Sequence, residues 1–287
     1  MPLISVCIPT YNGRTTIERT LLRVLDQEGV DLEVVVVDDA SSDGTVDFVR
    51  QRFSLIDRVR ICSFAERLGI VGNWNRALAH ATGDFVAIVG QDDEVDPDWA
   101  STLTAALARH PEAGLAFCRR RFAYDSDAAR VAMASFFDDI YPRMLEPFYA
   151  RLDEVGECVD TETMVRAALV HDFETNLVGE PAFQVFRRTS PVAREGYDAA
   201  MGQMIDWEFA LRFIAAGPIV HCSRQLGTYH IRAAGVSVDN AKDLSRHDRE
   251  FAHLLSVVLA RFDRWLAADE RERLEARRQA SLHSERG

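Results

Sequence analysis

Residues 32–45 read LEVVVVDDASSDGT. The apolar run shows no alternation of polar and apolar side chains, which is typical of a strand covered on both faces in a parallel sheet. Asp38 and Asp39 follow the run directly. Residues 41–44 are turn and helix-capping residues, and a helix through Val49 is expected to follow. The stretch therefore predicts a strand, a polar turn and a helix, the repeating parts of an α/β fold.

The same alternation of strand and helix extends on both sides of this stretch. Short apolar runs bounded by turn residues predict strands, and apolar residues recurring every three or four positions predict helices. The predicted elements are strands at 3–8, Val59–Phe64 and Phe85–Val89, and helices beginning near Ile17 and spanning 70–81. Alternation at this short spacing predicts a Rossmann-like, mostly parallel central sheet flanked by helices on both faces.

Polar and acidic residues follow three of these strands: 9–12, Asp38-Asp39 and 90–93. In open α/β sheets, ligands bind beyond the carboxyl ends of the strands. We therefore expect these three segments to meet at one ligand-binding edge.

The second half of the chain has a weaker pattern. A strand is expected at 182–187, a helix at 202–216 and a strand with a turn at 219–230. A long amphipathic helix is expected from about residue 239, followed by a frayed, charged tail at 269–287. We divide the chain into two halves of one domain (1–118 and 119–238) and a C-terminal helical extension (239–287). The aromatic residues at 119–180 either shape a ligand pocket or belong to the core.

Composition excludes several classes of protein. The 287 residues carry a formal net charge of −12, whereas phosphate-backbone binding needs a basic face, so nucleic acid is not an expected partner. The five cysteines form no CxxC motif, which gives a zinc site or a disulfide framework little support. No apolar run reaches the ~18–20 residues that span a bilayer. We expect a cytoplasmic protein, with peripheral contact at the inner membrane face as one option.

Asp92 and Asp93 are the strongest metal-binding candidates. They follow a strand and offer hard oxygen ligands, which suit Mg²⁺ or Mn²⁺ bound together with substrate phosphates. The alternative is that this pair caps the next helix.

The pair Asp38-Asp39 also has two interpretations, because such a carboxylate either accepts hydrogen bonds from a nucleobase or ribose, or forms an Asx-turn. Tyr11 could stack on a base or be a rim residue. The first strand-to-helix turn lacks GxGxxG, and no GxxxxGK[ST] motif occurs. A metal or an arginine must therefore hold any phosphate.

Taken together, these motifs resemble family 2 glycosyltransferases with the GT-A fold. The matching segments are SVCIPTYN at 5–12, VVVVDDASSDGT at 34–45, GNWNRA at 72–77 leading to ATGD at 81–84, and QDD at 91–93. The resemblance covers residues 3–118 strongly and 176–238 moderately. It implies that 1–118 is the nucleotide-sugar-binding half and 119–238 the acceptor-binding half, where the aromatic residues at 119–180 would shape the acceptor pocket.

The resemblance implies roles for individual residues. Pro9, Tyr11 and Asp39 would line the nucleobase, Asp92 would lie near the ribose and Asp93 near the metal, with the last two assignments exchangeable. Asn12 and Asn75 would also contact the nucleotide sugar; for Asn75, the alternative is helix packing. Asp206 would be the base that deprotonates the acceptor, or else cap its helix. Residues 176–181 resemble the loop that closes the floor of the acceptor pocket.

Two departures from the family pattern bear on these roles. Gly90 stands where many relatives have the first aspartate of an acidic triplet, which leaves two carboxylates for the metal. After the last strand, either His230 or Arg232 would reach the diphosphate, and we assign Arg232 to nucleotide-sugar binding.

The resemblance implies an inverting hexosyltransferase that depends on Mn²⁺ or Mg²⁺. It would move a single sugar from a nucleoside-diphosphate sugar, UDP-sugar being favoured, to a carbohydrate, lipid-linked or small-molecule hydroxyl. Bacterial polysaccharide, glycolipid or glycoconjugate synthesis is the expected context, and a homodimer is one option. The alternatives are a non-catalytic nucleotide-sugar-binding protein of this fold and a nucleotidyltransferase.

Overall fold

The computed structural model describes residues 2–232 and 243–283. Within these ranges, nine strands form a single sheet in the order β3-β2-β1-β4-β8-β6-β9-β5, and β7 pairs with β9. The strands are β1 (Leu3–Thr10), β2 (Asp31–Asp39), β3 (Val59–Phe64), β4 (Phe85–Ile88), β5 (Glu94–Val95), β6 (Leu115–Tyr124), β7 (Cys158–Val159), β8 (Gln184–Arg187) and β9 (Ile219–Ile231).

Helices cover both faces of this sheet. The α-helices of the described residues are α1 (Ile17–Leu25), α2 (Thr45–Phe53), α3 (Gly69–His80), α4 (Trp99–Arg109), α5 (Asp127–Ala134), α6 (Tyr141–Val155), α7 (Thr161–Ala168), α8 (Pro191–Glu195), α9 (Ile205–Ala216), α10 (Leu244–Arg261) and α11 (Ala268–His283). A π-helix at Ser135–Ile140 joins α5 to α6, and short 3₁₀ turns lie at Leu169–His171, Pro181–Phe183 and Asp263–Trp265.

The valine run explains the three-layer arrangement. Val34 and Val36 point into one apolar core, whereas Val35 and Val37 point into the other, and all four are buried. Because side chains alternate along a strand, an uninterrupted apolar run is needed where both faces of the sheet are covered. The predicted α/β class with a central sheet flanked by helices is confirmed.

The two halves of the sheet differ in strand direction. Strand β1 pairs in parallel with β2 and β4, and β2 pairs in parallel with β3. Strand β8 is antiparallel to both β4 and β6, whereas β6 and β9 run parallel. Strand β6 continues across the boundary that we proposed at residues 118 and 119, so the two halves share one continuous sheet.

The C-terminal extension differs from the expected helix with a frayed tail. Helix α10 packs on the domain through Phe251, Leu255 and Val258, all buried. The prediction of a frayed tail is wrong for the described residues, because α11 is a regular helix as far as His283. It is held by the buried side chain of Leu274 and by ion pairs from Arg277. Residues 239–242 and 284–287, which were also part of the predicted extension, lie outside the described residues.

Across residues 2–232 and 243–283, no helix combines the length and the apolar character needed to cross a bilayer.

Candidate active site

A cleft of about 680 Å³ opens at the carboxyl ends of β1, β2 and β4. It is lined from both halves of the chain. Its walls include Pro9, Tyr11, Asn12, Asp39, Asp92, Asp93, Asp206, His230 and Arg232. The fold thus brings together residues that are 223 positions apart along the chain, from Pro9 to Arg232. Of the predicted site residues, only Asn75 does not line the cleft.

Asp39 lines the cleft and is almost completely buried. Its Oδ1 accepts a hydrogen bond from the Leu68 backbone N–H at 2.8 Å and one from Arg76 at 3.1 Å, while Oδ2 accepts from the Gly69 N–H at 2.8 Å. A carboxylate oxygen accepts about two hydrogen bonds, so Oδ2 keeps one position for a ligand N–H. The guanidinium of Arg67 lies 3.7 Å from the ring centre of Tyr11, which also lines the cleft.

The neighbouring Asp38 has the other role considered for this pair. Its Oδ2 accepts the Ser41 backbone N–H at 2.9 Å, which stabilises the turn after β2. Asp38 does not line the cleft. The turn role and the ligand-facing role are therefore divided between consecutive residues.

Two side chains fix the loops at the rim. Gln91 accepts the backbone N–H of Tyr11 at 3.0 Å and donates to its carbonyl at 3.2 Å. Asn12 donates its N–H to Ser41 Oγ at 2.8 Å and accepts the Ser42 N–H through Oδ1 at 2.9 Å. Asn12 has a φ of 48°, a left-handed conformation that asparagine adopts more readily than most residues. Its side chain ties the β1 and β2 loops together.

Three carboxylates of the cleft interact electrostatically, those of Asp92, Asp93 and Glu180. Burial, and then the negative charges of Asp92 and Glu180, raise the pKa of the Asp93 carboxyl well above its usual range. A backbone hydrogen bond from Gly90 and the positive charge of Arg19 lower that pKa only in part. Buried carboxylates are normally paired or bind a metal, so this donor set fits a divalent cation.

Gly90 has a steric reason to lack a side chain. A Cβ atom built at this position would lie 2.6 Å from Asp93 Oδ2 and 3.3 Å from Asp92 Oδ1. An acidic residue here would therefore require the Asp93 carboxylate to move. The lack of a side chain at Gly90 leaves space for the Asp93 carboxylate in its present position.

His230, near the end of β9, and Arg232, just beyond the strand, have different partners. His230 Nε2 lies 2.8 Å from Glu94 Oε1, and that carboxylate also binds Arg19 and Arg23. Arg232 lies 3.0 Å from Asp92 Oδ2 and 3.4 Å from Asp125, and its side chain is 36% exposed. Arg232 is therefore the better placed of the two to exchange a carboxylate for a phosphate.

Asp206 lies in the first turn of α9 and faces the cleft. Its Oδ2 accepts a hydrogen bond from Asn176 at 3.0 Å, and its Oδ1 lies 2.8 Å from the backbone nitrogen of Trp207. Burial, and then the negative charge of Glu180, raise the pKa of Asp206 to about 7. A carboxyl that titrates near neutral pH matches the requirement for a general base.

Asn75 lies outside the cleft. Its amide accepts the Tyr197 backbone N–H at 2.7 Å and donates to the Tyr197 carbonyl at 2.9 Å. This pair of bonds fixes the segment after α8 against α3, which is the packing role given above as the alternative.

The structure adds a site residue that sequence reasoning did not single out. Glu180 lines the cleft and forms an ion pair with the buried Arg120, which also donates to the hydroxyls of Tyr141 and Tyr149. The only sequence signal was the position of Glu180 in the 176–181 loop expected at the acceptor floor. No local sequence pattern indicated that the charge of Glu180 would raise the pKa of both Asp93 and Asp206.

The aromatic residues of the second half divide between the core and the cleft. Phe137, in the π-helix, lines the cleft together with Met133 and Tyr229. Tyr141 and Phe148 belong to the core. Fewer of the aromatic residues at 119–180 therefore line the cleft than the sequence allowed.

This chain is similar in sequence and in fold to known proteins. The model for "Glycosyl transferase family 2" matches residues 5–172. An uncharacterized Mycobacterium tuberculosis protein (strain CDC 1551 / Oshkosh), MT1568, is 32% identical over 233 residues, covering 81% of this chain and 68% of that protein.

Two solved structures share the fold. One is S. aureus TarS 1–349 in complex with UDP-GlcNAc, with a TM-score of 0.67 and 17% identity over 98% of this chain and 72% of that one. The other is the mannosyltransferase PcManGT from Pyrobaculum calidifontis in complex with GDP-Man and Mn²⁺, with a TM-score of 0.63 and 21% identity over 99% of this chain and 74% of that one. At these identities the likeness concerns the fold alone, which is GT-A. With the family match, it establishes that this chain belongs to glycosyl transferase family 2 and is a glycosyltransferase.

Proposed function

We propose that this glycosyltransferase transfers one sugar from a nucleoside-diphosphate sugar to an acceptor hydroxyl with inversion at the anomeric carbon. The observation that carries the proposal is the meeting of Asp39, Asp93 and Asp206 in one cleft. Each comes from a different element, and each suits a different part of the reaction. A UDP-sugar is the favoured donor, a choice supported by the UDP-GlcNAc complex of the structural neighbour TarS.

The donor would lie along the carboxyl ends of the parallel strands. The free acceptor position on Asp39 Oδ2 suits an N–H of uracil, and Tyr11 with Arg67 offers a flat surface beside it. Arg232 would exchange Asp92 for a phosphate oxygen. A charge-assisted bond to phosphate would replace its present bond to a carboxylate.

Mn²⁺ or Mg²⁺ is the cofactor that the donor set fits, with Asp93 and Asp92 as its protein ligands. When bound, such an ion neutralises the negative charge that develops on the departing diphosphate. The Mn²⁺ complex of PcManGT, a neighbour in fold, supports this assignment.

Asp206 supplies the base. With a pKa of about 7, its carboxylate accepts a proton from the acceptor hydroxyl as that oxygen attacks the anomeric carbon. Asn176 and the first-turn backbone of α9 hold the carboxylate in place. Such general-base assistance contributes typically 10²–10⁴-fold to the rate.

The acceptor would enter beside Phe137 and Tyr229. An aromatic wall with the nearby Glu180 suits the mixed apolar and hydroxyl surface of a sugar. The proposal includes carbohydrate, lipid-linked and small-molecule acceptors. It also includes action in bacterial polysaccharide or glycoconjugate synthesis, a cytoplasmic location and a homodimer.

The test compares Asp206→Asn with Asp57→Asn, an exposed aspartate outside the cleft. Nucleotide binding is first measured by thermal shift with UDP, dTDP, GDP and CDP, each with and without Mn²⁺. Release of the nucleoside diphosphate from the matching sugar donor is then followed with soluble sugar acceptors.

We expect one nucleotide to stabilise the protein, more strongly with Mn²⁺. Asp206→Asn should keep this nucleotide affinity but lose at least roughly 100-fold in turnover, while Asp57→Asn behaves as wild type. Near-normal turnover in Asp206→Asn would contradict the assignment of the base. Stabilisation by none of the four nucleotides would contradict the nucleotide-sugar donor.

A further inference from the structure

A second group of metal-ligating side chains lies away from the cleft. We call it the His110 cluster, formed by His110, Glu112, Glu157 and Cys158. His110 and Glu112 lie in the turn between α4 and β6, whereas Glu157 and Cys158 lie where β7 begins. None of the four lines the cleft.

The ligand atoms of three members are close to one another. One atom each of His110, Glu112 and Cys158 lie within 4.8 Å of one another. His110 Nδ1 is 3.4 Å from Glu112 Oε1, and Cys158 Sγ is 3.5 Å from the same oxygen. Ligands around a tetrahedral Zn²⁺ are about 3.3–3.8 Å apart, given bonds of about 2.0–2.3 Å. Two of the three separations in the cluster match this spacing, and the third is within 4.8 Å.

The other ring nitrogen of His110 has the partner that a metal-bound histidine needs. Nε2 lies 3.0 Å from Glu157 Oε2, and Arg109 donates to both oxygens of that carboxylate. Histidines that bind metals usually donate their second N–H to a carboxylate, which fixes the tautomer and orients the ring. Here that arrangement leaves the Nδ1 lone pair facing Glu112 and Cys158.

We propose that His110 Nδ1, Glu112 and Cys158 bind one Zn²⁺, with water as the fourth ligand and Glu157 as the positioning residue for His110. The mixture of thiolate, imidazole and carboxylate is typical of zinc and poorly suited to Mg²⁺. The charges also balance. Zn²⁺ and Arg109 supply three positive charges, and the carboxylates of Glu112 and Glu157 with the Cys158 thiolate supply three negative charges.

Zinc binding converts a thiol into a thiolate. Without metal, burial and the adjacent Glu112 raise the pKa of Cys158, and its thiol donates to Glu112 Oε1. On binding, the Zn–S bond forms, the S–H bond breaks and one proton passes to solvent.

The site would join two segments that flank, in sequence, the first third of the 119–238 half. Glu112 and Cys158 are 46 residues apart in sequence, and β6, α5, the π-helix and α6 lie between them. Binding in the folded state alone would stabilise the fold, because the unfolded chain does not hold these ligands together. No sequence motif indicates this site, because its ligands come from two short segments without a CxxC spacing.

The test uses the full chain, freed of metal with EDTA and titrated with Co²⁺ as a spectroscopic probe. A cobalt–thiolate bond gives a near-ultraviolet charge-transfer band that oxygen ligands do not give, so Co²⁺ at Asp92 and Asp93 would not contribute. We expect this band to saturate at one ion per chain and to disappear on addition of Zn²⁺. Cys158→Ser should lose it, and Cys62→Ser, on strand β3, should keep it.

Two further measurements make the result independent of how the Cys158 variant folds. Glu157→Gln should keep the band but weaken Co²⁺ affinity roughly 10–100-fold, as expected for a group that orients a ligand. In the wild-type chain, Zn²⁺ should slow alkylation of Cys158 but not of Cys62. Absence of the band in wild type, its persistence in Cys158→Ser, or equal alkylation with and without Zn²⁺ would each overturn the proposal.

Discussion

Asp206 combines a position at the cleft with a pKa near neutral. Both properties depend on its surroundings, because the same carboxyl exposed to water has a pKa near 3.8. Burial makes the charged form costly, and the Glu180 carboxylate adds repulsion. The assignment of Asp206 as a base came from a resemblance, whereas the structure adds a physical reason for its reactivity.

The first prediction concerns the pH dependence of catalysis. Because only the ionised Asp206 accepts a proton, kcat/KM should rise with pH and level off above an apparent pKa of about 7. Glu180→Gln removes a negative charge, which should lower that apparent pKa by roughly one unit. Steady-state rates measured between pH 5 and 9 check this. Glu162→Gln, an exposed change on α7, is the control, and an unchanged profile in Glu180→Gln would contradict the role of its charge.

The second prediction concerns Asp93. An unfolded chain ionises this carboxyl above about pH 3.8, whereas the folded protein resists ionisation because its pKa is raised. The unfolded state thus binds fewer protons between these two pKa values, and the free energy of unfolding falls as pH rises through this window. Asp93→Asn should reduce that fall, so its metal-free Tm at pH 7.5 should equal or exceed that of wild type.

The same variant should respond differently to metal. Mn²⁺ with the stabilising nucleotide should raise the Tm of wild type by more than the nucleotide alone, whereas Asp93→Asn should lose this extra gain. Asp57→Asn serves as the control in both scans. A metal-dependent gain that survives in Asp93→Asn would place the ion elsewhere.

At the level of elements, α9 is held in place by a residue from the C-terminal extension. Glu250, on α10, is buried and accepts the backbone N–H groups of Gly202, Gln203 and Met204 at 2.9, 2.6 and 3.0 Å through a single oxygen. These are the residues immediately before α9, and their N–H groups have no partner within the helix. A negative charge at a helix N-terminus is also favourable. Glu250 therefore sets the direction in which the first turn, with Asp206, enters the cleft.

The third prediction follows from this contact. Glu250→Gln replaces a carboxylate that serves three donors, so the free energy of unfolding should fall by about 1–3 kcal/mol. Turnover should fall while the Kd for the nucleotide stays near that of wild type, because Asp39 and Asp93 are unaffected. Calorimetry and donor turnover measure the two effects. Glu272→Gln, an exposed change on α11, should alter neither, and a weakened Kd with normal turnover in Glu250→Gln would contradict the positioning role.

Strands and helices with a simple apolar pattern could be predicted from the sequence, whereas an element that contains a run of charged residues could not. The strand at Val59–Phe64 and the helix near 70–81 were found almost to the residue. Strand β6 was missed, because its second half begins with three arginines. Arg119, Arg120 and Arg121 fit into the sheet only because Asp153, Glu180 and Asp96 pair with them from distant parts of the chain.

Contacts between distant parts of the chain also explain which site residues the sequence did not reveal. Asp39, Asp92 and Asp93 follow predicted strands, so local pattern was enough to place them at one edge. Glu180 and the His110 cluster depend on contacts between segments with no common local signal. Their chemistry became visible only when the fold brought those segments together.

For the whole molecule, the C-terminal helices complete the second half of the domain. Helix α11 docks against the segment after α7, where Arg277 binds Asp172 at 3.0 Å and Glu174 at 2.7 Å and lies 5.1 Å from the ring centre of Phe251. Among the described residues, the neighbouring Arg278 pairs with Glu275 alone, on the same helix. The segment that was expected to fray is therefore an ordered helix, held by charged residues in another part of the chain. The helical repeat of the sequence does not reveal such a contact.

This pair of adjacent arginines gives the last prediction. Arg277→Ala should lower the free energy of unfolding by about 1–2 kcal/mol, because it removes two ion pairs and a contact with an aromatic ring. Arg278→Ala should change it by less than about 0.5 kcal/mol, because a surface pair within one helix contributes little. Urea unfolding at low and high salt measures both, and the Arg277 effect should shrink with salt as the ion pairs are screened. Equal effects of the two substitutions would mean that α11 is not held by this docking contact.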